Sequence, residues 1–269
     1  MLRLLLCTAL ALALPVAGLT APDANAVRRG IEARYRGAHT LKATFYQRYS
    51  SGNGGGTAES GTVYFSRPGR MRWEYESPEP KLFLVDGANA WFYVPADRTA
   101  SRATLKQSSD WRTPVALLAG KADLDQLCRS LEIVSSPSSP HAAGPAPGSG
   151  DAASLQPLDP NDTVLRCTPR GAPRAATSSA PASAASSASS PTSSAVPDDD
   201  NSAPREILIE TDPNYYITRV LIRQAGGLET EFRFGNWQEN LPISELKFHF
   251  QPPPGVAVVD EQSLANSLK

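Results

Sequence analysis

Large apolar side chains recur at every second position through one segment after another of this 269-residue chain, and no other feature narrows the fold as far. Val63 and Phe65, then Met71, Trp73 and Tyr75, then Trp91 and Tyr93 alternate with smaller or polar neighbours, so each set projects to one face of a sheet. Leu41, Ala43, Phe45, Gln47 and Tyr49 form an earlier alternating run. Ile207 and Ile209, Val220 and Ile222, Phe232 and Phe234, and Leu246, Phe248 and Phe250 predict four later strands. Turn signals punctuate the series. Residues 51–56 are glycine-rich, and Arg67-Pro68-Gly69-Arg70 has proline second and glycine third, which predicts a type II turn within a hairpin. Asp86-Gly87 predicts a second hairpin, joining 82–85 to 90–94.

Helical signals are sparse. Val27, Ile31 and Tyr35, with Ala38, share one face of a helix over 24–37, for which Gly37 is the expected C-terminal cap. Thr113-Pro114 supplies an N-cap and first-position proline for a short apolar helix, Val115 to Ala119, stopped by Gly120. The expected fold is therefore mainly β: a curved antiparallel sheet forming an unclosed β-barrel, or half-barrel, capped by short α-helices. Two short helices over so many aromatic rings leave room for an apolar cavity, and such cavities stay dry and accept apolar ligands.

Residues 1–26 read as an export signal peptide: Arg3, a Leu/Ala run from Leu4 to Leu14, Pro15, then small-residue sites of which Ala24-Asn25-Ala26 fits the cleavage pattern. The run is shorter than the roughly 20 residues a membrane span requires. Cys7 leaves with the leader, and Cys128 and Cys167 remain for an oxidising compartment. Folding 128–134 against 163–167 as a hairpin brings the two sulfurs together; two separate buried thiols are the alternative. Residues 135–160 and 171–204 are rich in Ser, Ala, Pro and Gly and offer too few apolar side chains to offset the entropy of ordering. They are expected to be loops interrupting a single domain over 27–269, with roughly 180 residues left to build its core.

The residue types exclude several functions. A formal net charge of −1 and the lack of a basic stripe argue against nucleic acid. His39, His141 and His249 have no neighbours at metal-ligand spacing, no nucleophile elbow occurs, and the glycine run at 52–56 has no phosphate-loop lysine. No catalytic residue, metal site or cofactor is expected, and the chain does not read as an enzyme.

Leu41-x-Ala43-x-Phe45-x-Gln47, Arg67-Pro68-Gly69 followed by Trp73 and Tyr75, Asp86-Gly87 followed by Trp91 and Tyr93, Thr113-Pro114 with Leu117-Leu118, and the closing Phe248-His249-Phe250-Gln251-Pro252-Pro253-Pro254-Gly255-Val256 together resemble the periplasmic outer-membrane lipoprotein carrier (LolA) family. The resemblance implies a soluble, monomeric periplasmic carrier that shields the acyl chains of lipoproteins between inner and outer membranes. It also implies partners: acylated lipoproteins as cargo, an inner-membrane ABC-type release complex, and an outer-membrane acceptor. The acyl-chain cavity is expected from Phe45, Val63, Phe65, Met71, Trp73, Tyr75, Phe83, Trp91, Tyr93, Leu117, Val220, Ile222, Phe232 and Phe234. By the same resemblance Arg67 clamps a lid through carbonyls near Leu118, Ala119 and Gly120; a guanidinium offers five donors in a fixed fork. Met71 stands where the family leads one to expect a bulkier ring. A carrier of other lipids or glycolipids, and a lipid-binding envelope-stress sensor, are the alternative readings.

Overall fold

The computed structural model of the protein describes residues 23–51, 56–104, 123–137, 155–170 and 204–260. The leader up to residue 22 and the helix expected at 113–119 lie outside them.

Helix α1 (Ala24–Gly37) starts where Asp23 accepts from the Asn25 N–H at 3.1 Å, so the three residues of the proposed cleavage pattern form its first turn. Val27, Ile31 and Tyr35, four apart, are its buried stripe. Its end corrects the expectation for Gly37, which is the last helical residue. Ala38 then turns the backbone to extended geometry, with φ at −88°, so no left-handed cap is needed.

Twelve strands of the described residues make one sheet: β1 (Thr40–Ser50), β2 (Gly56–Ser66), β3 (Arg70–Ser77), β4 (Lys81–Val85), β5 (Asn89–Val94), β6 (Thr99–Thr104), β7 (Cys128–Ser135), β8 (Thr163–Pro169), β9 (Pro204–Thr211), β10 (Ile217–Gln224), β11 (Glu229–Glu239) and β12 (Ala257–Asp260). Their spatial order is β12-β6-β5-β4-β3-β2-β1-β11-β10-β9-β8-β7, so two meanders join where β1 pairs with β11. The sheet curves without closing, its edges being β12 and β7. A one-turn helix, α2 (Leu124–Leu127), leads into β7.

Both expected hairpins form. In the first, Ser66 pairs with Arg70, and Gly69 at the third position of the turn takes φ of +74°, the positive value the expected turn needs there. In the second, the Asp86 carboxylate accepts from the N–H groups of Ala88 (2.8 Å) and Asn89 (2.7 Å), while Gly87 takes φ of +105°. Gly61 is a point of close approach, since a Cβ there would stand 1.9 Å from the Glu74 carbonyl oxygen.

Three further expectations are corrected. Leu246, Phe248 and Phe250 are not a strand: Ser244 caps a 3₁₀ turn, Glu245–Phe248, that buries Phe248 and leaves Leu246 78% exposed. The last strand is β12 instead, and it runs parallel to β6, clipped by a bidentate Arg102–Asp260 pair at 2.9 and 2.6 Å, so the sheet is not wholly antiparallel. The first Ser/Ala/Pro segment is shorter than its composition suggests. Ser135 and Ser136 are buried, and Leu155 packs with Val134, Val164, Leu208 and Leu221 on the outer face of the sheet, an apolar patch that the neighbouring strands provide.

Cys128 and Cys167 are disulfide-bonded, with Cα atoms 5.4 Å apart. The β7–β8 register sets Cys167 opposite Leu131 and Cys128 opposite Pro169, so the bridge is diagonal across a bulge.

Candidate functional site

The inner face of the sheet, on which α1 lies, is built by register. Phe45 on β1 is opposite Phe234 on β11, Val63 on β2 opposite Trp73 on β3, and Trp73 in turn opposite Phe83 on β4. Because paired residues share a face, Phe45, Val63, Trp73 and Phe234 converge with Phe65, Val220 and Phe232 into one buried cluster, with Met71, Tyr75, Phe83 and Ile222 partly buried beside it. Trp73 is its hub: 2% exposed, it meets Phe45 at 4.7 Å between ring centroids, Phe232 at 5.6 Å, Phe234 at 6.1 Å and Phe65 at 6.3 Å, all edge-on. Tyr75 meets the other edge of Phe45 at 5.0 Å.

Trp91 and Tyr93 do not belong to this wall. Leu84 is opposite Trp91 and Leu82 opposite Tyr93, whereas Phe83, the inward residue of β4, is opposite Phe92. The two rings therefore lie on the outer face, with Leu82 and Leu84 beneath Phe250. Their outward position follows from β4 and β5 being apolar on both faces, and the inward aromatic of β5 is Phe92, 41% exposed. Trp237 is also part of the site; its indole N–H donates to the Ile217 carbonyl at 2.9 Å and its ring meets Tyr35 and Phe234. A lone tryptophan late in β11 carried no periodic signal of its own.

The wall has a polar end. Gln47, 3% exposed, continues the inward series of β1 past Phe45. Its Oε1 accepts from the Tyr75 hydroxyl at 2.9 Å, and its amide nitrogen donates to the Tyr49 hydroxyl. Glu59, opposite Gln47, is ion-paired with Lys81, whose ammonium lies 5.1 Å from the Tyr75 ring centroid. Burial, and then the neighbouring Tyr49 and Glu59, push the Tyr75 hydroxyl well above its ordinary range, so it stays a donor. Just beyond, at the ends of β1, β2, β10 and β11, a recess of about 460 Å³ opens between Tyr49, Thr57, Leu228 and Thr230.

Arg67 stands at the opposite end of the wall, beside the C-terminus of α1. Its backbone N–H donates to the His39 carbonyl at 3.0 Å. Burial lowers the guanidinium from its usual value, with Tyr35 and Arg36 as the charges and dipoles around it. Leu117, Leu118, Ala119 and Gly120 lie outside the described residues. Among the described residues no group of three or more His, Cys, Asp and Glu side chains is gathered as a metal site would require, and no helix is long and apolar enough to cross a membrane.

Residues 36–137 match the family model for "Outer membrane lipoprotein carrier protein LolA". The chain is similar to the outer-membrane lipoprotein carrier protein of Dechloromonas aromatica, 36% identical over 94 residues, which are 34% of this chain and 44% of that one. It is similar also to the carrier of Chromobacterium violaceum, 34% identical over 114 residues, 41% of this chain and 52% of that one. The chain thus spans about half the length of these curated relatives. Among solved structures, a LolA superfamily protein from Nitrosomonas europaea aligns with 86% of this chain and 99% of its own, at a TM-score of 0.39 and 10% identity.

Proposed function

We propose that the chain is a member of the LolA family of outer-membrane lipoprotein carrier proteins, a reading supported by the match over residues 36–137 and by its partial-length relatives, and that it is a periplasmic carrier that shelters the acyl chains of lipoproteins against its inner aromatic wall. The observation that carries this reading is the Trp73 cluster: edge-on rings from β1, β2, β3 and β11 meeting with no hydrogen bond between them. Such contact is non-directional, so rings can part for an alkyl chain and exchange one apolar surface for another at little cost. A buried methylene gains about 0.8 kcal/mol, so an acylated protein needs a shield of this kind to cross water.

In this structure the wall is filled by its own rings, so the proposal requires that they part when an acyl chain enters. Opening is assigned to the α1 end, where Arg67 stands beside His39 and where the lid carbonyls at Leu118 to Gly120 are proposed to meet the guanidinium. The partners proposed are an inner-membrane ABC-type release complex as donor and an outer-membrane acceptor as receiver. The test is release of a lipoprotein from spheroplasts with and without the purified protein. Soluble lipoprotein bound to the chain supports the reading; lipoprotein left on the membrane, or phospholipid as the sole co-purified lipid, overturns it.

A further inference from the structure

The wall contains two polar groups that an apolar core has no use for. Among the described residues no acceptor lies within hydrogen-bond reach of the Trp73 indole N–H, although the atom is fully buried. Leaving such a donor without a partner costs about 1–3 kcal/mol, which phenylalanine at the same position would not incur. Gln47 is the second. A primary amide has two donor hydrogens and a carbonyl with two lone pairs; here one N–H goes to Tyr49 and one lone pair is taken by Tyr75, within a cluster otherwise made of rings. Both residues border Phe45: Trp73 touches the ring directly, Tyr75 touches its other edge, and Gln47 follows two positions along the same strand face.

We propose that Trp73 and the Gln47–Tyr75 pair form a subsite for the ester or amide carbonyl at the head of an acyl chain, the hydrocarbon running on against the rings. The subsite rests on the carrier reading and deepens it. An alkyl chain alone has no registry along a greasy wall; a donor from Trp73 Nε1 or Gln47 Nε2 to the acyl carbonyl oxygen fixes how far the chain enters. The recess between Tyr49 and Leu228 adjoins Gln47 through its hydrogen bond to Tyr49 and offers the polar remainder of the ligand a place at the surface. A lipoprotein amino terminus and a diacylglycerophospholipid both present this carbonyl, so the chemistry recognised is the acyl linkage.

The test uses the full chain and displacement of a bound apolar naphthylamine dye by three monomeric probes. They are a synthetic diacylglyceryl-cysteine peptide, a short-chain diacylglycerophospholipid, and a straight-chain alkane of matched length. In Gln47→Leu and Trp73→Phe, loss of one hydrogen bond should weaken one or both carbonyl-bearing probes about fivefold more than it weakens the alkane, with an unchanged circular dichroism spectrum as the control for folding. A fall for both probes assigns the shared linkage; a fall for the peptide alone assigns the lipoprotein as its source. Unchanged affinity for both carbonyl probes in both variants overturns the subsite while leaving the carrier reading intact. Failure of every probe, the alkane included, to displace dye from the unaltered protein overturns both.

Discussion

Replacing Trp73 with alanine separates a wall that can take a guest from one that is only core. The indole is 2% exposed and touches four phenylalanine rings. Truncating a buried aromatic to alanine costs about 3–5 kcal/mol, and removing the partnerless N–H returns about 1 kcal/mol of that, so a net loss of about 3 kcal/mol is expected. With a urea m-value of about 2 kcal/mol/M, the unfolding midpoint should fall by about 1.5 M. Ligand linkage then supplies the discriminating measurement. An alkyl probe at about a hundredfold excess over its dissociation constant stabilises the folded state by about 2.7 kcal/mol. In the unaltered protein the rings must first part, which weakens the apparent affinity; in Trp73→Ala the space is already vacated, so the same concentration should shift the midpoint further. Urea titrations followed by circular dichroism, with and without probe, measure both quantities. A loss below about 1 kcal/mol would show that Trp73 is not the hub of the wall, and no probe-dependent shift in either protein would refute the idea that the wall opens for alkyl chains.

Three other outcomes are expected. Glu210 is fully buried beside Arg219 at 3.0 Å, and burial, only partly opposed by that guanidinium, pushes its carboxyl up from 4.5 to about 7. The folded state then holds a proton that the unfolded state has lost, so stability is highest below about pH 4.5 and falls as pH rises to about 7, by about 3 kcal/mol; melting curves for Glu210→Gln should be flatter across that window, and an unchanged slope contradicts the assignment. Removing the Cys128–Cys167 bridge, whose partners are 39 residues apart, with paired alanines should cost about 4 kcal/mol on the chain-entropy model, read as a urea midpoint shift; an unmoved midpoint rejects the bridge as a stabiliser. Arg67→Leu should fold and take up acylated cargo yet fail to hand it on, and normal transfer from variant to acceptor membranes removes Arg67 from the release step.

Strand content, both hairpins and α1 were legible because each depends on neighbours in sequence. Val27, Ile31 and Tyr35 announce a helical face by spacing alone, and Asp86-Gly87 supplies its own turn chemistry. Leu246, Phe248 and Phe250 imitate the same period-two signal, but the Ser244 cap gives the backbone a local alternative and the segment turns instead of pairing. Leu155 shows the opposite failure: one apolar residue in a Ser/Ala/Pro stretch is ordered because Val164, Leu208 and Leu221 offer it a surface.

What the amino-acid order determines by itself is which side chains share a face; it does not determine which face. Trp91 and Tyr93 alternate as cleanly as Trp73 and Tyr75, yet the pairing of Val85 with Ala90 turns them to the outer side and brings Phe92 inward. A register shift of one residue reverses every side chain in a strand, and only the assembled sheet fixes that register. For the same reason Gln47 and Trp73, twenty-six positions apart in the chain, become neighbours around Phe45 only when β1, β2 and β3 lie side by side, and the polar end of the wall exists nowhere in the sequence until they do.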